Sequence, residues 1–193
     1  KTAFEALRVL SDKKGEFQRR IKDESSEKAI IQLFEEGLDV NSLVDGNGET
    51  VLARACKYGR CEVAKYLVEK GAHINTRADH PGLVAQTPLQ HALQCGAKAH
   101  ELVLLLLAKG ADVNVLNGGG ATTLQMAIQS FSNEDKVASL KIIETILSKE
   151  NLAIDQRDER GGTALHTASE FGILKIVQML VEKGASITQT DKI

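Results

Sequence analysis

The sequence predicts an all-α solenoid, with helix-turn-helix units stacked in a row, β-hairpin or loop tips between them, and an N-terminal helical cap. Three observations carry this. The pattern Thr-x-Leu-x-x-Ala recurs from Thr50, Thr87, Thr122 and Thr163. Those threonines are spaced by 37, 35 and 41 residues, which reads as a unit of about 33 residues with insertions of roughly 4, 2 and 8. Hydrophobic residues make up 42% of the 193, yet aromatics are only 4% and Trp is absent. A core built from Leu, Ile, Val and Ala suits thin helical layers better than a sandwich or barrel, and a chain with only two prolines has few helix breakers.

The elements follow in order. Ala3 to Leu10 and Glu16 to Lys22 read as two cap helices; eight basic and eight acidic residues between Lys1 and Glu36 make this section polar and neutral. Ala29 to Asn41 reads as the second helix and tail of an earlier, degenerate repeat. Each later unit opens on its Thr, whose hydroxyl suits an N-cap, and Pro88 fits a first turn where no N–H is needed. The Leu and Ala that follow (Leu52 and Ala55, Leu89 and Ala92, Leu124 and Ala127, Leu165 and Ala168) fall three apart on one helical face. Gly59, Gly96 and Gly172 suit a left-handed turn between two helices; Phe131 breaks that rule in the third unit. The second helix carries one apolar stripe, from Val63 and Leu67 through Leu102 and Leu106, Ile142 and Ile146, to Ile176 and Leu180. It ends at Gly71, Gly110, Asn151 and Gly184. A lone pair of such helices leaves apolar surface in water, so each needs neighbours on both sides. The expected division is one domain over 1–193: cap and degenerate repeat over 1–44, then repeats over 45–77, 78–116, 117–157 and 158–190. Asp191 to Ile193 falls where a further repeat would begin, and a longer native protein is expected.

A net charge of -2 and a pI near 6.2 supply no field to gather nucleic acid or anionic lipid. Cys56, Cys61 and Cys95 are an odd number, so a closed disulfide framework does not account for them and a reducing compartment fits better. No apolar run approaches membrane-spanning length, and no signal-peptide core is present. A cytoplasmic protein is expected. His73, His80, His91, His100 and His166 are scattered without ligand spacing, and Gly118 to Gly120 lack the Lys-Ser/Thr of a phosphate loop. No catalytic, cofactor or metal site is expected.

With Gly-Ala-x-x-Asn returning at Gly71 to Asn75 and Gly110 to Asn114, the pattern closely resembles the ankyrin repeat over Ala29 to Thr190. The resemblance implies a non-enzymatic module that binds another protein, as adaptor, scaffold or targeting region. It implies a monomer that binds no nucleic acid and inserts in no membrane. The alternative is the ankyrin region of a secreted bacterial effector, acting in the host cytosol, whose catalytic domain lies outside this chain. His166 takes the family's structural histidine position. Partner contacts are implied on the tips and the exposed side of each first helix: Asn47, Glu49, Lys57, Tyr58 and Arg77, then Leu83, Val84, Gln86, Gln94 and Leu116, then Gln129, then Glu159, Arg160, Glu170 and Phe171. Neighbouring positions are Gly46, Cys95, Gly118, Gly119, Ala121, Ser130 and Gly162. Tyr58 and Phe171 either anchor a partner or pack on adjacent helices. The insertion at 78–81, followed by Leu83 and Val84, is either a docking finger or a loop folded over the next repeat. The insertion around 132–138 is either functional or a tolerated surface loop. Asn41, Asn75 and Asn114 each follow a Leu by eight residues, which looks like the pattern that asparaginyl hydroxylases recognise; the plainer reading is a hydrogen-bonding hairpin residue.

Overall fold

A computed structural model describes residues 3–23, 26–44, 46, 48–77, 86–131, 133 and 135–190. Ten α-helices lie within them: α1 (Ala3–Lys22), α2 (Glu27–Glu35), α3 (Val51–Lys57), α4 (Cys61–Glu69), α5 (Pro88–Gln94), α6 (His100–Ala108), α7 (Thr123–Gln129), α8 (Lys136–Leu147), α9 (Ala164–Glu170) and α10 (Leu174–Glu182). A short 3₁₀ turn, Gly96–Ala99, joins α5 to α6. Four antiparallel pairs stack side by side. The first helices α3, α5, α7 and α9 form an inner row in which each touches the next, and α2, α4, α6, α8 and α10 form an outer row. The all-α solenoid is what the periodicity predicts.

The threonine caps form as their spacing requires. Thr50 Oγ1 accepts from the Ala53 N–H at 3.2 Å. Thr87 and Thr122 go further and make capping boxes, in which Gln90 and Gln125 return a side-chain oxygen to the cap's own N–H. In the fourth unit His166 Nδ1 accepts from the Thr163 N–H at 3.2 Å, so the histidine serves the backbone of its own unit. Gly71 and Gly110 close the outer helices at φ of 84° and 88°, and the following N–H, from Ala72 or Ala111, reaches back five residues to Leu67 or Leu106. Asn151 does not copy them, because no described residue other than glycine takes a positive φ.

The core runs unbroken from the cap to the last pair. Leu52, Leu67, Leu89, Leu106, Ile128, Ile143 and Ile146 are fully buried at successive levels. The cap differs from its predicted form. It is one helix, α1, and not two. Gly15 sits within it facing open space; a helical glycine costs about 1 kcal/mol, and no proline stands nearby to break the chain. The C-terminal half is anchored by Phe17 and Ile21, both fully buried, with the Phe17 ring edge-on to Phe34 at 5.6 Å. That apolar contact carries α1 across the polar stretch in its middle.

The tips take loop form. An isolated antiparallel bridge pairs Leu43 with Thr50, and the later tips are closed by Asx side chains. Asn117 Oδ1 accepts from the N–H groups of Gly119 and Ala121, and Asp158 Oδ1 from those of Arg160 and Gly162, all at 2.8 to 3.0 Å. A second set of side chains ties unit to unit. Asn41 Oδ1 accepts from His73 N–H, Asn75 from Asp112, Asn114 from Ala153, and Asp155 from Ser186, each at 2.8 to 2.9 Å. The three asparagines singled out in the sequence therefore form the hydrogen-bonding ladder of the stack.

Candidate protein-interaction face

Because the inner helices bury one side against the outer row and their flanks against each other, only a strip along each remains in water. Lys57, Tyr58, Gln94, Gln129, Glu170 and Phe171 all lie on it at the C-terminal ends of their helices and are exposed. Tyr58 is 39% and Phe171 54% exposed, so neither ring is absorbed by its neighbours. Arg77, Glu159 and Arg160 are exposed at the tips. Leu116 is half-buried, and its carbonyl accepts from Arg77 Nη1 at 3.4 Å, linking two tips. Asn47, Leu83, Val84 and the insertion at 78–81 lie outside the described residues.

Two expected contacts are corrected. Glu49 and Gln86 are each only 8% exposed. Glu49 turns inward because Arg54, one turn into α3, donates from Nε to Glu49 Oε2 at 2.7 Å and again from Nη2. The pair satisfies two charges that would be costly to bury singly. Gly162 is likewise buried, its N–H donated to Asp158.

Between the third and fourth units the face deepens into an open groove of about 730 Å³. Glu159, Arg160, Leu165, His166, Ser169, Glu170, Ile187 and Gln189 line its fourth-unit side, and Gly119 and Gln129 the other. Ser169, Ile187 and Gln189 are additions to the residues expected from sequence; no local motif marks them, since only stacking brings them to one groove. Gln90 and Gln125, which complete the capping boxes of Thr87 and Thr122, were not singled out in the sequence. Gln90 Nε2 donates to the Val115 carbonyl at 2.8 Å within its own unit, and Gln125 Nε2 reaches forward to Asp158 Oδ2 of the next unit at 2.8 Å.

The titratable groups speak for structure. His91 is pushed down to about 4, first by burial and then by the charge of Lys57. Burial also raises Cys56, Cys61 and Cys95, the opposite of an activated thiolate. All three are free thiols, and Cys95 Sγ donates to the Cys56 carbonyl at 3.2 Å across the first junction. Part of the third unit's insertion is structural too: Asp135 caps α8 through the Ala138 N–H at 3.2 Å and holds His100 Nδ1 at 2.9 Å from its other oxygen. That histidine contact holds the Asp135 carboxyl below its usual range. Ser132 and Glu134 lie outside the described residues. Among the described residues no His, Cys, Asp or Glu group has the arrangement of a metal site, and no helix is long and apolar enough to cross a membrane.

Stacked helix pairs with a solvated inner strip and amide-laddered tips define a helical repeat protein. The chain matches the family of ankyrin repeats, in three copies, over residues 21–78 and 99–191. It belongs to the ankyrin-repeat family. The unmatched stretch between those segments holds the insertion and α5, whose capping box and pairing with α6 keep to the pattern. Similar proteins include human Rabankyrin-5, 30% identical over 86% of this chain. Another is the ankyrin repeat and KH domain-containing protein mask-1 of Caenorhabditis elegans, 30% identical over 74%. A third is human transient receptor potential cation channel subfamily A member 1, 30% identical over 84%. The chain spans only 14%, 5% and 14% of those proteins, respectively.

Proposed function

We propose that this chain is a protein-interaction module that grips a partner protein through its inner face and tips, as a single copy, and serves as an adaptor, scaffold or targeting region. It works by binding and not by catalysis, in the cytoplasm, where its three thiols stay reduced. The observation that carries this reading is the exposed strip from Tyr58 to Phe171, which keeps two aromatic rings in water while the other sides of the same helices are committed to burial. Aromatics and arginines dominate interface energies, often costing about 2 kcal/mol when truncated, so the strip holds the residue types that anchor partners. Capture of partners from a cell lysate tests it. Tyr58→Ala with Phe171→Ala, or Lys57→Glu with Arg77→Glu, should reduce capture roughly tenfold or more. Capture unchanged by both variants would show that the binding face lies elsewhere.

A further inference from the structure

All three cysteines of the chain gather where the first full unit meets the second. Two tight turns lie together there, each passing through a left-handed glycine: Gly59 between α3 and α4, and Gly96 between α5 and α6. The thiols cross from one unit to the other. Cys95, which closes α5, donates to the Cys56 carbonyl of the first unit at 3.2 Å. Cys61, the first residue of α4, donates in return to the Lys98 carbonyl of the second unit at 3.5 Å. Lys98 folds back over Gly59: its Nζ stands 2.8 Å, and Cys95 Sγ 3.5 Å, from the point that a Cβ on Gly59 would occupy. Two thiols from neighbouring units thus surround one ammonium.

The electrostatics agree with that closeness. Burial raises the Cys61 thiol, a charge on Cys95 raises it further, Glu27 adds to this, and Lys98 and Lys65 oppose. Burial likewise raises Cys95, against the pull of Lys98 and of the Gly59 N–H. Both thiols therefore stay protonated near neutral pH and respond slowly to oxidant. They are half-buried and open to a small molecule, whereas Cys56 is fully buried.

We propose that Cys61 and Cys95 form a dithiol modification site that a hydroperoxide closes to a disulfide, fastening the first unit to the second. With hydrogen peroxide, the Cys95 thiolate, beside Lys98, attacks one oxygen. The O–O bond breaks, Cys95 becomes a sulfenic acid, and the other oxygen leaves and takes a proton as water. The Cys61 thiolate then attacks that sulfur, the S–O bond breaks, and hydroxide leaves and takes a proton as the S–S bond forms. Two thiols lose two electrons and two protons, and one peroxide becomes two waters.

Oxidation of the folded chain with hydrogen peroxide, followed by mass spectrometry, tests it. The intact mass should fall by that of two hydrogens, and the thiols counted in denaturant should drop from three to one. An unreduced tryptic digest should join the peptide that begins at Cys61 to the one that ends at Lys98 and holds Cys95. That linkage should exceed either linkage to Cys56 by at least about tenfold, because geometry decides which sulfurs can join, and a thiol reductant should reverse it. The chain oxidised while unfolded in urea should lose this selectivity. Cys61→Ser should leave Cys95 as a sulfenic acid that dimedone traps. Three thiols remaining when the unfolded chain has already oxidised, a disulfide to Cys56, chains joined to one another, or passage to sulfinic acid without a disulfide each overturns the proposal.

Discussion

Gln125 shows how much one buried side chain does in this architecture. It is 1% exposed, its oxygen returns the Thr122 N–H, and its nitrogen contacts Asp158 and the Gly162 carbonyl of the next unit. Gln125→Ala leaves several of these groups unpaired in the interior and should cost about 2 to 3 kcal/mol in urea unfolding. Gln125→His should recover part of that loss, because His166 fills the same place in the fourth unit and still accepts from the cap N–H. His91 makes a pH prediction. Its folded pKa of about 4 lies below the ordinary 6.5, so the unfolded chain binds the extra proton first and stability falls as pH drops from about 6.5 toward 4. His91→Gln should flatten that part of the acid-unfolding curve, by about 3 kcal/mol at most; an unaltered curve would mean the ring is not held neutral. Caps of this kind could be read directly from sequence because their bonds span three residues. The inward turn of Glu49 could not, since it depends on Arg54 presenting its guanidinium from the adjoining helix.

Helices and turns were legible where the signal is local. Gly71 and Gly110 occupy a left-handed conformation, and Gly71→Val or Gly110→Val should destabilise by roughly 1 kcal/mol or more, since a β-branched residue is forced to positive φ. Neither position faces a crowded neighbour, so the loss measured by thermal unfolding reports backbone strain and not a clash. Asp135→Ala removes the cap of α8 and should cost about 1 kcal/mol, with an added loss at the His100 contact; no change would return this segment to the status of a tolerated insertion. The continuity of α1 escaped the sequence because Gly15 and the charged residues before it resemble a break. What decides the matter is the anchorage of Phe17 and Ile21 on α2, a tertiary contact.

At the scale of the whole molecule, the period of about 33 residues was enough to give the stack, because helix pairs of one length with one apolar stripe have few other ways to bury it. The groove was not legible. It forms only where the third and fourth units come together, and no single residue marks it. Stability in such an array is close to a sum over neighbouring contacts. Among the described residues α6 has outer-row neighbours on both sides, whereas α10 has α8 alone and leaves Leu174 at 67% and Val181 at 45% exposure. Amide hydrogen exchange should therefore be slowest in α4 and α6 and faster in α10 and the first half of α1. Uniform protection along the chain would mean that the array melts as one block.

The asparagine ladder has a direction. In every rung the side chain belongs to the earlier unit and the backbone it binds to the later one, and Asn75 and Asn114 both accept from that backbone and donate to it. A polypeptide leaving the ribosome consequently finds each docking point already in place when the next stretch emerges, and growth from the amino end can zip the stack shut turn by turn during translation.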